Sequence, residues 1–229
     1  MFHRTLALAA AAVLAFPLAA RAAAEVPMYA VVSPGAPGHW SVITGETAVP
    51  GHDFVSAELG FPGFTFGYTH GFNEWFDAGV KVDLLYGFRN TTLSSQFGMQ
   101  MRIPLRYMIY RRGVIGVQLH IDPGLDFYTA PRGGSTNYAI GLPVGAAIGF
   151  QVTPELRLAL TGDLPISVIY TPSPVYLQTG PLFGGAVEYF FERQWSAGLN
   201  LRFGPQFFTQ SSVGTQLGFL TELIIGYRL

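Results

Sequence analysis

The sequence predicts an all-β protein whose strands form a closed, antiparallel, up-and-down transmembrane β-barrel. First, apolar and polar residues alternate over runs longer than the five or six residues typical of soluble strands. Second, only 12% of the 229 residues are charged, against about 25% in soluble domains, while 49% are hydrophobic and 14% aromatic. Third, short and long connections alternate along the chain. The 28 glycines and 16 prolines disfavour long helices, because both residue types destabilise helix interiors.

Residues 1–24 have the features of a secretory signal peptide. His3 and Arg4 precede an apolar stretch at residues 6–16, and Ala20-Arg21-Ala22 supplies the small residues of a cleavage site. The apolar stretch is too short to cross a membrane as a helix, which needs about 20 residues. We therefore expect export, with residues 25–38 as a periplasmic N-terminal lead and residues 39–229 as the transmembrane β-barrel.

The alternation of apolar and polar residues is clearest in five segments, at residues 78–88, 97–109, 115–127, 195–207 and 216–229. For example, the apolar Leu201 lies between Asn200 and Arg202. A soluble β-sandwich also alternates, but its solvent-facing side is expected to be rich in Lys, Glu and Thr. Here the polar faces carry Gly, Ala and Gln with isolated charges, which favours a barrel whose apolar face contacts lipid.

Aromatic residues cluster towards both ends of these segments. One group comprises Trp75, Phe76, Tyr107, Tyr110, Tyr189, Phe191, Trp195 and Tyr227. The other comprises Phe127, Tyr128, Tyr138, Tyr170, Tyr176, Phe207 and Phe208. Because aromatic side chains favour both interfaces of a membrane, we expect two girdles of outward-facing rings.

The connections between segments predict the strand count and the orientation. Tight turns fall at residues 73–74, 111–113, 153–155 and 192–193, and longer polar connections at residues 89–95, 129–136, 171–174 and 209–214. In bacterial barrels the short turns face the periplasm and the longer loops face outwards. Counting back from Leu229 gives ten strands, with residues 39–49 as the first and 54–71 as the second. Eight strands is the alternative, because the first alternates weakly and Pro62-Gly63 interrupts the second.

Charged residues on the polar faces are predicted to form one layer inside the barrel. The layer comprises Lys81, Asp83, Arg102, His120, Asp122, Asp163, Arg202 and Glu222. Arg102 should lie beside His120 or Asp122 on the neighbouring strand. If the charges pair, they plug a narrow lumen, since unpaired buried charge is costly. If small residues such as Gly145 and Gly149 leave space, the lumen is a narrow pore.

Three acid-base groups, His120, Asp122 and Asp126, lie on one face of a predicted strand and suggest an alternative, a lipid-acting barrel enzyme. A His oriented by an Asp can act as a general base. However, no nucleophile stands beside them in the sequence. We therefore expect a non-enzymatic structural anchor or narrow pore, with no catalytic residues, no metal site and no cofactor.

Prolines occur once in each of six consecutive predicted strands, at Pro104, Pro123, Pro143, Pro165, Pro181 and Pro205. Each removes one backbone N–H from the sheet, so we expect bulges or local loss of pairing. Such bulges can supply the curvature that closes a small barrel. The alternative is a lateral gap through which a lipid tail enters.

Several hairpins resemble those of small Gram-negative outer-membrane barrels of the OmpA-like, porin-family type. The resemblance rests on Ile103-Pro104-Leu105-Arg106-Tyr107, on Asp122-Pro123-Gly124, on the hairpin through Thr153-Pro154-Glu155 and on the closing strand. It implies an outer-membrane location, contact with membrane lipid and insertion by the barrel-assembly machinery. The assembly signal would be Tyr227 and Leu229, although such barrels usually end in Phe.

The charge and the cysteine count narrow the partners further. A formal net charge of -1, with scattered basic residues, gives no patch for binding nucleic acid. Zero cysteines exclude disulfides, a Cys-based metal site and a cysteine nucleophile. The sequence does not indicate an oligomeric state.

Overall fold

A computed structural model describes residues 40–87, 97–129, 136–171, 175–209 and 214–229. The predicted signal peptide, the predicted lead and most of the longer connections, including residues 89–95, lie outside the described residues. Across the described ranges, no helix has the length and apolar character needed to cross a membrane.

The described residues form one antiparallel sheet of fifteen strands. The first seven are β1 (Asp53–Phe61), β2 (Gly63–Asn73), β3 (Phe76–Leu85), β4 (Gly98–Arg102), β5 (Leu105–Arg112), β6 (Ile115–Ile121) and β7 (Gly124–Tyr128). The remaining eight are β8 (Asn137–Gly141), β9 (Val144–Gln151), β10 (Leu156–Leu164), β11 (Ile166–Tyr170), β12 (Tyr176–Thr179), β13 (Leu182–Phe190), β14 (Trp195–Phe208) and β15 (Thr215–Arg228).

The pairings close the sheet into a ring. β1 pairs with β2 on one side and with β15 on the other, so the first and last strands are neighbours. The two ends of the strand order also find partners, because β12 pairs with β14 and β5 pairs with β3. Each strand of the ring therefore has a partner on both sides over part of its length.

Prolines explain why many of the strands are short. Pro104, Pro123, Pro143, Pro165 and Pro181 lie between successive strands, from β4–β5 to β12–β13. Because proline lacks the N–H that the ladder needs, pairing stops there and resumes beyond it. The expected interruptions are present at these five positions. Pro205 is different, since it lies inside the continuous strand β14 and pairs with Leu217.

Two of the predicted strands are wrong. Residues 40–49, the described part of the predicted first strand, contain no strand and lie inside the ring. Residues 54–71 were predicted as one strand but belong to β1 and β2, which are separated at Pro62. With fifteen separate strands, neither ten nor eight is the number observed.

The two faces of the sheet differ sharply in polarity. Along β14, Leu201, Phe203 and Phe207 are exposed, whereas Asn200 and Gln206 are buried. Large exposed hydrophobic side chains recur on the outer face of every long strand. The interior instead holds buried Asp, Glu, Arg, Asn and Gln side chains. This reverses the usual arrangement of a water-soluble protein.

Some aromatic residues expected in the girdles face inwards. Tyr138, Tyr170, Tyr189 and Phe191 are exposed on the outer surface. Tyr128 and Phe208 are buried inside the ring, because they occupy inward positions in the alternation of β7 and β14.

Candidate functional site: the interior of the ring

Residues 40–49, here called the inserted segment, fill the end of the interior where the tight turns lie. Trp40 is fully buried against two aromatic rings that flank this end. Its ring centroid lies 5.3 Å from that of Phe54 and 5.6 Å from that of Phe190. The segment is therefore packed as a core element rather than lying loosely in the lumen.

Glu188 on β13 anchors the start of the inserted segment. Its carboxylate accepts hydrogen bonds from Ser41 Oγ at 2.5 Å, Thr44 Oγ1 at 3.0 Å and the backbone N–H of Val42 at 3.2 Å. Ser196 Oγ on β14 donates a fourth bond at 2.8 Å. Glu188 is almost completely buried, and hydrogen bonds to a charged acceptor are the strong ones.

A second anchor is the ion pair between Asp77 on β3 and Arg106 on β5. The guanidinium donates to both carboxylate oxygens, at 2.8 and 2.7 Å. It also donates to the backbone carbonyls of Ser41 at 2.8 Å and Val42 at 3.2 Å. Asp77 in turn accepts the N–H of Ala48 at 2.6 Å. One buried pair thus holds both ends of the inserted segment.

Two further contacts hold the middle of the segment. Arg111 on β5 forms an ion pair with Glu46, with Nη2 and Oε2 2.6 Å apart. Gly45 adopts a φ of 81°, a left-handed conformation that glycine tolerates well. The backbone of Thr44 approaches β9 closely, so that a Cβ at Gly149 would lie 1.9 Å from Thr44 O. The lack of a side chain at Gly149 therefore makes room for the backbone of Thr44 rather than for water.

The middle of the interior holds the predicted layer of charged residues. Lys81 pairs with Glu58 at 2.6 Å, and Arg102 donates to both oxygens of Asp83, at 2.8 and 2.5 Å. Thr65 also donates to Asp83. These contacts join β1, β2, β3 and β4 across the lumen side of the sheet.

The opposite wall contributes a three-membered cluster. His120 Nε2 lies 2.7 Å from Asp163 Oδ1, and Arg202 pairs with the other oxygen of Asp163. Asn200 accepts from Arg202 at 3.2 Å and donates to Glu222 at 2.8 Å. Seven of the eight predicted charged residues, all except Asp122, thus fall into separate pairs and clusters around the wall.

The expected neighbours of Arg102 are different from those observed. Its hydrogen-bond partner is Asp83 on β3 rather than His120 or Asp122 on the other side. The register explains this, since Arg102 lies opposite Lys81 and Gly124, whereas His120 lies opposite Arg106 and Gly145. Asp122 Oδ1 has no hydrogen-bond partner among the described residues.

The candidate catalytic residues have separate partners. His120 is bonded to Asp163, while Asp126 accepts a hydrogen bond from Gln100 at 2.6 Å. Pro123 also interrupts the strand between them. No group of three His, Cys, Asp or Glu side chains suited to a metal occurs within the described ranges.

The C-terminal residues take part in closing the ring. Tyr227 packs against Trp195, with ring centroids 4.6 Å apart. The N–H of Leu229 donates to Asp53 O at 2.9 Å, which extends the seam between β15 and β1.

At the opposite end, where the longer connections lie, an apolar cluster lies beside the buried polar side chains of Asp126, Gln178 and Gln206. Leu85, Tyr128, Ala139, Ile169 and Phe208 form a buried cluster. The interior is therefore filled at three levels: the inserted segment, the charged layer and this apolar cluster.

Several interior residues were not singled out by the sequence analysis. Asp77, Arg106 and Glu188 occupy inward positions of the same alternation that identified Asp83 and Arg102, so that alternation could have found them. Glu58 lies in residues 54–71, which the sequence analysis interpreted as a single strand, and its inward position was not recognised there.

Comparison with known proteins gives limited information. No protein-family model matches the chain, and no curated protein matches it. Among solved structures, it is similar to Ail, the attachment invasion locus protein of Yersinia pestis. The sequence identity is 12%, the alignment covers 78% of this chain and 94% of Ail, and the TM-score is 0.29. A likeness at this TM-score is not evidence of a shared function.

Proposed function

We propose that the protein is a non-enzymatic outer-membrane β-barrel with an occluded lumen, which acts as a structural anchor in the membrane. The observation that carries this proposal is the inserted segment, which is buried inside the ring and bonded to Glu188, Asp77 and Arg106. An open diffusion pore would need water where this segment lies.

The outer surface supports the membrane location. It exposes large apolar side chains along the strands, including Leu160, Leu201 and Leu223, a surface that water would disfavour. β14 and β15 each contain 14 residues, and about 9 to 11 tilted residues are enough to cross a bilayer.

Joining the strands that proline interrupts gives ten crossings. They are β1, β2, β3, β4 with β5, β6 with β7, β8 with β9, β10 with β11, β12 with β13, β14, and β15. An even number is usual in bacterial barrels. In this arrangement residues 74–75 and 113–114 turn on the same side as Asp53 and Leu229, and we assign that side to the periplasm.

The charge pairs support occlusion rather than conduction. Asp77, Asp83 and Glu188 are at most 2% exposed, so water is largely excluded from them. In conducting pores, by contrast, charged side chains that line the channel are hydrated and select the ions that pass. At the other end of the interior, the side chain of Ile169 packs in a buried apolar cluster.

The test is conductance of the full chain in planar lipid bilayers. We expect no steady current from the parent protein. Glu188→Ala removes the acceptor of four hydrogen bonds and should release the inserted segment, so that channel openings appear. Glu192→Ala, the same change at an exposed position in the turn after β13, should stay silent. A parent protein that conducts steadily would overturn occlusion, and a folded Glu188→Ala variant that stays silent would overturn the role of the segment.

A further inference from the structure

Within the described ranges, the wall of the ring is low at the tip of the β1–β2 hairpin. β1 pairs with β15 only as far as Phe61 opposite Thr221. β15 extends beyond this point towards the longer connections, and residues 217–220 continue to pair with β14 on their other side. These four residues span about 14 Å, at about 3.4 Å per residue. No strand among those described pairs with their free edge.

The end of β3 borders the space beside residues 217–220 on the other side. The carbonyl of Pro62 accepts the N–H of Tyr86 at 3.0 Å and that of Gly87 at 2.9 Å, which ties the tip of the β1–β2 hairpin to the end of β3. The gap, here called the notch, is therefore bounded by residues 217–220, by Tyr86 and by the hairpin tip at Phe61 and Pro62.

The outer lip of the notch is aromatic. The Phe61 ring lies between those of Tyr86 and Phe219, with centroid distances of 6.1 Å to each. On the far wall, β11 continues to the exposed ring of Tyr170, in the expected outer girdle. Because the hairpin tip stops short of that girdle, the notch opens into the apolar outer half of the bilayer.

A cavity of about 50 Å³ lies directly behind the notch. Its apolar lining residues include Pro62, Leu85 and Leu220, and its charged lining residues are Asp83, Arg102 and Glu222. Arg102 is paired with Asp83. Glu222 Oε2 accepts a bond from the neutral amide of Asn200. The lining contains two carboxylates, Asp83 and Glu222, and one cation, Arg102. The lining thus combines apolar side chains with an excess of carboxylates.

We propose that the notch is a lateral binding site for a single-chain amphiphile with a cationic or hydrogen-bond-donating head. The head enters the cavity beside Glu222, and the hydrocarbon chain leaves through the notch into the outer half of the bilayer. This site rests on the proposed function, because it requires the outer surface to contact lipid. With this site, the protein would bind a ligand laterally from the membrane, although its lumen is occluded along the barrel axis.

The test is photo-crosslinking of the full chain in phosphatidylcholine vesicles. The probe is a long-chain alkylammonium with a diazirine next to the head, and the matching alkyl sulfate is the charge control. Adducts are mapped by mass spectrometry. We expect the alkylammonium to label Leu85 and Leu220 inside the notch, as well as outward residues such as Leu223. The sulfate should label only the outward residues.

A pair of variants tests the route. Leu220→Trp enlarges a side chain in the cavity lining, so adducts on Leu85 should be lost. Leu217→Trp adds the same ring on the outer face of β15, where Leu217 is exposed, and adducts on Leu85 should remain. If Leu220→Trp does not fold, the labelling map of the parent protein still decides the question.

The remaining outcomes separate the two proposals. Adducts on outward residues alone would overturn the lateral site and leave the membrane barrel standing. Equal labelling of Leu85 by both probes would overturn the cationic head. An absence of adducts on Leu201 and Leu223 would mean that the outer surface does not meet lipid, which would overturn the proposed function itself.

Discussion

Replacing Asp77 with Asn should strongly destabilise the protein. Asp77 is fully buried, and its carboxylate accepts two bonds from Arg106 and one from Ala48. The Asn side chain has a similar shape but leaves the buried guanidinium without a counter-charge. Breaking one partner of a buried pair costs about 3 to 5 kcal/mol, a large fraction of the roughly 5 to 15 kcal/mol that separates folded from unfolded domains.

The free energy of unfolding is measured by urea titration of the protein in lipid vesicles, followed by tryptophan fluorescence. Trp40 lies in the inserted segment, and replacing the other two tryptophans, Trp75 and Trp195, with Phe makes the signal specific for its packing. Asp53→Asn is the matched control, since Asp53 also pairs with a basic side chain, His70 at 2.5 Å, but both are about one-third exposed. Its effect should be much smaller, because exposed pairs contribute little.

A double variant separates the lost charge from the lost shape. Asp77→Asn combined with Arg106→Met removes the uncompensated cation, so part of the stability lost in the single variant should return. If Asp77→Asn costs no more than Asp53→Asn, the pair is not the anchor described above. If the double variant is as unstable as the sum of the two single variants, the coupling between the residues is absent.

Two further predictions concern the outer surface and the orientation. Leu201→Arg places a cation in the middle of the lipid-facing surface and should cost about 2 to 4 kcal/mol in unfolding titrations; Val152→Arg, exposed in a tight turn, should cost far less, and equal losses would refute the assigned face. A Cys introduced at Thr136, next to a longer connection, should react with a membrane-impermeant biotin reagent on intact cells, whereas a Cys at Arg112 should not. Reaction at Arg112 alone would invert the orientation.

The alternation of the strands was predictable because it is a local property with a period of two. Assigning Leu201 to one face and Asn200 to the other needs only the residues on either side. The same rule placed Asp83 and Arg102 inside. The pairing partners were harder to predict, because the register depends on strands distant in sequence, and so Arg102 was expected beside His120 or Asp122.

The inserted segment could not be recognised from local sequence. Trp40, Val42 and Ile43 are apolar and lie within residues 39–49, which were predicted as the first strand of the sheet. Their place is decided by contacts with Glu188 and Arg106, which lie more than 60 positions away along the chain. The turn at Pro62 was visible as an interruption, but the sequence did not show that the chain reverses there.

The inserted segment also constrains the order in which the molecule can assemble. It precedes β1 by only a few residues, and β1 forms the closing seam with β15, the last strand of the chain. Its anchors come from β3, β5 and β13, so the docking site is complete only after most of the sheet has formed. Contacts between such distant parts of a chain form slowly. We therefore expect the segment to dock late in folding, close to the step that closes the seam.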